Sequence, residues 1–211
     1  MGGRNPGNAP FGLGKTYFNG TTPPSSSDYG TSVDLEGMPY AFENRAVSDP
    51  ITGRPGVIEC ILVRNVSTVV LLPGRLVTWK SGQRGRQVDG YSILDAGEVA
   101  GMVDDKINAT NGVPVGDLFW LMLKGQVLGK SDLLGDIGTN FSAGSYLVAQ
   151  TAAASTGTTA GRLQLTTITA ASTHLATLIQ DNIKNSVGRA VSANTTGQTD
   201  RSVLIDLDIS T

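Results

Sequence analysis

Cysteine and histidine occur once each, as Cys60 and His174, and neither has the company that would make it reactive. A single cysteine excludes a disulfide framework within the chain. Cys60 lies in an apolar run with no basic neighbour to lower its pKa, so it reads as a small buried hydrophobe rather than a nucleophile. Any Ser-His-Asp or Cys-His arrangement would have to use His174, and no local signature joins it to Cys60 or Asp181. Beyond one histidine and one cysteine, a zinc centre would need carboxylates for its remaining ligands, an unusual donor set. The formal net charge of -2 argues against a strongly basic nucleic-acid binder. No apolar run approaches membrane-spanning length, and the N-terminus has no apolar core of signal-peptide length. The expectation is a soluble chain made in a cytoplasm, with no membrane partner.

What is abundant is glycine, 27 of 211 residues, together with Thr, Val and Ser, a composition that favours many turns and short strands. The organising stretch is VIECILVRNVSTVVLLPGRLVTWK, residues 57–80. Val57, Ile61 and Val63 point one way and Ile58, Cys60 and Leu62 the other, the pattern of a strand buried on both faces. Pro73-Gly74 marks a turn, and Leu76, Val77 and Trp79 resume an extended run. In DLFWLMLK, 117–124, Leu118, Trp120 and Met122 line one face and Phe119, Leu121 and Leu123 the other, which predicts a second central strand between Gly116 and Gly125.

Further strands are predicted over 87–92, 99–103, 127–128, 146–150, 163–168 and 187–193. A half-buried final strand follows, in which Val203, Ile205, Leu207 and Ile209 alternate with Leu204, Asp206, Asp208 and Ser210. Leu175, Leu178, Ile179 and Ile183 fall on one helical face behind Ser172, which predicts one short helix over about 173–186. The fold class expected is mainly β, a jelly-roll-like sandwich or small barrel with one short helix and an extended N-terminal arm. Residues 1–50 form that Gly/Pro/Ser-rich arm, and 51–211 the β domain.

The arm has no sustained period, yet Phe11, Tyr17, Phe18, Tyr40 and Phe42 are spread along it as candidate anchors to another surface. Charge is uneven beyond it. Between Ile51 and Gly90 six basic side chains face two acidic ones, +4, and between Tyr91 and Asn140 three face seven, -4. Opposite patches suit self-association or docking on a charged partner, with Arg75, Lys80, Arg84 and Arg86 as a candidate basic rim.

Motif fragments carry little chemistry. Gly14-Lys15-Thr16 resembles the end of a phosphate-binding loop, but its first glycine would fall at Ala9, with no strand before and no helix after. Asp104-Asp105 with Asn108 or Asn111 lacks the dense oxygen spacing of a calcium loop. Asp206 and Asp208 read as the solvated face of the last strand. Asn-x-Ser/Thr triplets begin at Asn19, Asn65, Asn108, Asn140 and Asn194, and in a Thr-rich chain they read as compositional. No catalytic residue, metal site or cofactor is assigned.

The blocks ILVRNVSTVVLLPGRLVTWK (61–80), VDGYS (88–92), GVPVGDLFWLMLKGQVL (112–128) and NSVGRAVSAN (185–194), ahead of the final alternating strand, resemble the head decoration or cement proteins of tailed bacteriophages. The resemblance covers about 57–209. It implies a β-rich, jelly-roll-like or barrel-like module on the outer capsid surface of a virion, made in the host bacterial cytoplasm. Such a module sits as a dimer or trimer across junctions of the major capsid protein and reinforces the shell, without direct nucleic-acid contact. A carbohydrate-binding or host-adhesion β-sandwich, with Trp79 stacking on sugars, is the alternative; Trp79 shares a face with Val77, which favours core packing. A hydrolase with converging carboxylates is the third reading.

Overall fold

The computed structural model describes residues 12–17, 35–43, 56–91, 99–131, 143–149, 161–165, 186–191 and 201–209. Ten strands form one hydrogen-bonded sheet: β1 (Pro39–Glu43), β2 (Val57–Asn65), β3 (Leu76–Thr78), β4 (Gln87–Val88), β5 (Val99–Val103), β6 (Leu118–Ser131), β7 (Tyr146–Ala149), β8 (Leu163–Leu165), β9 (Gly188–Ala190) and β10 (Arg201–Asp208). The main order is β1-β2-β6-β10-β9-β7-β8, with β5 joining β6 and β3 joining β5. Pairing is antiparallel except for β2 with β4 and a single bridge, Ser131 to Leu163, that joins β8 back to β6. The molecule is mainly β, and no helix occurs among the described residues.

The period-two pattern of β2 and β6 explains why the sheet is covered on both faces. Ile58, Cys60, Leu62, Trp120 and Met122 enter one core with Leu147, Leu163 and Ile205. Val63, Phe119 and Leu121 enter a second core with Val77, Val103 and Val113. Two strands apolar on both sides therefore sit at the centre, with polar residues left for the periphery. Trp120 and Phe119 are wholly buried, and truncating either to alanine costs about 3–5 kcal/mol.

β6 is longer than its apolar run. The expected separate strand at 127–128 is its continuation, because Gly125 does not end it. At φ +110° that glycine lets β2 approach at its bulge between Glu59 and Cys60; a Cβ there would lie 2.5 Å from the Val57 carbonyl oxygen. β10 alternates as expected, with Val203, Ile205 and Leu207 buried and Asp206 and Asp208 exposed.

A boundary at residue 50 cuts through this sheet and is corrected. Pro39–Glu43 pairs with Val57–Ile61 along its whole length. Tyr40 and Phe42, two residues apart, place both rings toward Trp120, and that contact gives a short segment a reason to be a strand. The predicted helix over 173–186 and His174 lie outside the described residues, Ser186 apart. No helix among the described residues is long and apolar enough to cross a membrane.

Candidate functional site

Three places on this sheet gather polar or exposed side chains. The first is where the N-terminal residues meet the body. Tyr17 and Leu118 exchange both backbone hydrogen bonds, Tyr17 N–H donating at 2.9 Å and Leu118 N–H at 3.2 Å. Asp104, fully buried, accepts from Gly14 N–H on Oδ2 at 2.5 Å and from Lys106 N–H on Oδ1 at 2.9 Å. Burial, the largest effect, pushes its pKa up to about 6 against the pull of those two donors. Burial likewise raises Asp117, opposed by the Thr16 side chain and the Arg64 charge. The Glu36 carboxylate, almost wholly buried, takes Arg64 Nε at 2.5 Å and Gln87 Nε2 at 3.1 Å, with Arg86 Nε at 3.8 Å.

These contacts decide several expectations. Gly14-Lys15-Thr16 is no phosphate loop: the Gly14 N–H is already given to a carboxylate of the same chain. Asp104 and Asp105 are hydrogen-bonded to backbone rather than grouped for a cation, Asp105 Oδ2 accepting from Leu128 N–H at 2.6 Å. Among the described residues no set of three or more His, Cys, Asp or Glu is placed to hold a metal ion. Cys60 is buried, and burial, with Asp104, Asp105 and Glu59 nearby, raises its thiol pKa far from thiolate formation.

Of the proposed arm anchors, Phe11 and Phe18 lie outside the described residues. Tyr17, Tyr40 and Phe42 are half-buried against the chain's own first core. The Tyr40 and Phe42 ring centroids are 4.7 Å apart and stand 5.9 and 5.2 Å from that of Trp120. In this chain these three rings pack inward instead of forming a free aromatic arm.

The second place is the basic loop, Lys80 to Gln87. Gln83 N–H donates to the Lys80 carbonyl, and Arg86 and Gln87 N–H to the Gln83 carbonyl, closing two successive tight turns. The four rim residues do not act alike. Arg75 is corrected: it is buried, 4% exposed, with its guanidinium 5.6 Å from the centre of the Tyr91 ring, so it does not project from the rim. Lys80 pairs with Asp89 at 2.8 Å, and Arg86 leans toward Glu36. Arg84 is exposed and meets no carboxylate among the described residues. Of the basic excess read from the sequence, Arg64 and Arg86 share the single carboxylate of Glu36, and the Lys80–Asp89 pair was already inside the count.

The third place was missed by sequence reasoning. Asn65, fully buried, donates from Nδ2 to the carbonyls of Val69, Val113 and Pro114 at 3.0, 3.0 and 3.2 Å. Its Oδ1 accepts from Ser67 N–H at 3.1 Å and Ser67 Oγ at 2.6 Å. Tyr91 grips the same loop from the other side, its hydroxyl accepting from Leu72 N–H. The result is a fixed tip made of 66–72 and 112–116, from which Val69, Val70 and Val115 stand 44%, 45% and 48% exposed. The only trace in the sequence was the triplet Asn65-Val66-Ser67, which is a side-chain-closed turn and not an accessible modification site. Trp79, the candidate sugar platform, is half-buried against the second core.

No family model matches the chain, and no curated protein matches it.

Proposed function

We propose that the chain is a structural protein that decorates and reinforces a bacteriophage capsid by binding across junctions of the major capsid protein. The observation that carries this reading is the division of polar groups. Glu36, Arg64, Asp104 and Asp117 are engaged in holding the fold together, while the exposed features among the described residues include a tightly turned loop bearing Arg84 and a valine tip. Preorganised surface features of this kind suit docking, since little ordering cost remains at the moment of binding. The order of sequence blocks from 57 to 209 supplies the family. The return of β8 to β6 supports reading the sheet as a small barrel, β6-β10-β9-β7-β8, with β1, β2 and β3–β5 laid beside it. The partners under this reading are the capsid protein and further copies on the outer virion surface, and no catalytic step is assigned.

Arg84 is the contact we assign to an acidic capsid surface. The test is co-sedimentation of the purified chain with undecorated heads of the phage that encodes it. Saturable binding at a fixed number of copies per head is expected, weakened at least tenfold in Arg84→Glu and by added salt. Absence of binding by the intact chain would sink the decoration reading. Binding that Arg84→Glu leaves unchanged would remove the loop from it. Deleting the N-terminal residues is no substitute, because it would take away β1 and Glu36 along with the arm.

A further inference from the structure

β6 carries β2 along one edge, and its other edge is shared out: β10 pairs with 124–131, β5 with Leu121 and Met122, and Tyr17 with Leu118. Residues 12–17 therefore finish an edge that β5 leaves short. Their hold is thin. Two backbone hydrogen bonds at Tyr17 and one at Gly14 fasten them, the Thr16 side chain reaches Asp117, and Leu13 and Tyr17 are only half-buried against the first core. A segment with so little apolar burial opens before the core strands do. Both side chains that receive it are carboxylates, and the segment itself keeps water from one of them: Asp104 is wholly buried, with the Gly14 N–H on its Oδ2.

We propose that residues 12–17 are a detachable strap, closed over the β6 edge while Asp104 is protonated and increasingly open once it is ionised, with the sheet beneath staying folded. The direction follows from what the strap does to Asp104. With the strap closed, burial is the largest effect and outweighs the hydrogen bonds given by Gly14 and Lys106, so the carboxyl sits at about 6 instead of 3.8. Opening admits water and lowers that value toward the ordinary one. The closed form therefore holds the proton more tightly, and closure weakens as pH rises toward 6. The charges facing Asp104 do not reverse this: Asp105 raises it and Lys106 lowers it, and both belong to its own loop and stay when the strap leaves. From β2 the facing group is the Cys60 thiol, which burial keeps neutral, and Lys15 on the strap is exposed. Asp117, also raised by burial, faces Thr16 and Arg64 and acts in the same direction. Opening bares the Leu118 N–H and carbonyl, a sheet edge of the kind that accepts an extended segment. The inference rests on these contacts alone and does not require the capsid reading.

Amide exchange of the intact chain, corrected for its intrinsic pH dependence and read between pH 5 and pH 7, tests the strap. Protection at Tyr17 and Leu118 should fall by up to about tenfold, the ceiling set by a carboxyl that moves between 6 and 3.8. It should lie below that of the amides in the middle of β2 and β6 at every pH. The fall should level off above the pH at which the Asp104 carboxyl carbon, followed by NMR in the same chain, titrates. Asp104→Asn should make Tyr17 protection nearly independent of pH. Protection at Tyr17 that is flat in the intact chain overturns the proposal. So does a fall in which Tyr17 and the central strands exchange at one common rate, because the strap would then open only with the sheet. A fall that Asp104→Asn leaves in place overturns it equally. If that variant does not fold, the intact chain still decides, since a fall that continues well beyond the Asp104 titration belongs to another group and rejects the strap as drawn.

Discussion

Two loops are fastened to this sheet by fully buried polar side chains, and the anchors differ in kind. The N-terminal residues 12–17 are held by a carboxylate, Asp104, which receives N–H groups from Gly14 and Lys106. The tip is held by a primary amide, Asn65, which gives hydrogen to three carbonyls and receives it from Ser67. Two incoming N–H donors suit an acceptor-only group, and three carbonyls need a donor. A carboxylate anchor titrates and an amide does not, so one attachment depends on pH and the other is indifferent to it.

Exchanging the two chemistries is the sharpest way to break that comparison, and the larger effect is at the tip. Asn65→Asp would set a buried carboxylate against the carbonyl oxygens of Val69, Val113 and Pro114, each of which would lose its Asn65 donor and keep one other, Ser67 Oγ, Leu71 N–H and Asp117 N–H respectively. A loss of about 4 kcal/mol at neutral pH is expected in urea unfolding, with partial recovery near pH 5 as the buried carboxyl takes up a proton. A loss under about 1 kcal/mol would show that Asn65 does not organise the tip.

The reciprocal exchange, Asp104→Asn, is read as a pH difference. The carboxyl of Asp104 is raised to about 6 in the folded chain from an ordinary value of 3.8, so the native state holds this proton more tightly than the unfolded state. Its contribution is therefore fully present below about pH 4 and is lost as pH rises through 6, a total of about 3 kcal/mol. The stability of the native chain minus that of Asp104→Asn should fall by that amount between pH 4 and pH 7. Asp105 and Lys106, the charges nearest it, are common to both proteins and cancel in the subtraction. A difference that stays flat across this window would remove Asp104 as the titrating anchor.

The central strands were legible because their signal is local. Ile58, Cys60 and Leu62 against Val63, and Leu118, Trp120 and Met122 against Phe119 and Leu121, sort to the two cores as alternation requires, and Val99–Val103 falls on β5 end for end. β1 was not legible: two aromatics between prolines and glycines become a strand only when Trp120, some eighty positions away, supplies their partner. Arg75 was misread for a related reason, since nothing in Pro73-Gly74-Arg75 announces that Tyr91 will cover it. The anchors were the least visible. Asp104 is joined to Gly14 across 90 positions, and a pair of aspartates reads equally well as a cation site or as plain surface until the donors are known.

The backbone on the carboxylate side can be tested without touching the carboxylate. Gly14 holds φ at +81°, and a Cβ there would come within 3.0 Å of the Lys106 carbonyl oxygen and 3.3 Å of its Cβ. Gly14→Ala combines an unfavourable backbone with a close contact, for a cost of about 1–2 kcal/mol. The cost should appear locally: amide exchange at Gly14's position and at Tyr17 should quicken while the β2 and β6 amides stay protected. Uniform acceleration throughout the sheet would mean that the docked segment and the core unfold as one unit.

The smallest expected effect falls on the loop that faces neither anchor. Arg84 has no carboxylate among the described residues, whereas Lys80 is bridged to Asp89 and Arg86 lies 3.8 Å from Glu36. Arg84→Ala should leave the unfolding free energy within about 0.5 kcal/mol of the native chain. Arg86→Ala should cost somewhat more, up to about 1 kcal/mol, because Glu36 is buried and loses part of its surrounding positive charge. The same urea titration read for both variants decides the order. If Arg84→Ala proves the more destabilising, the guanidinium has a partner within the chain, and the free cation that the docking surface needs is not there.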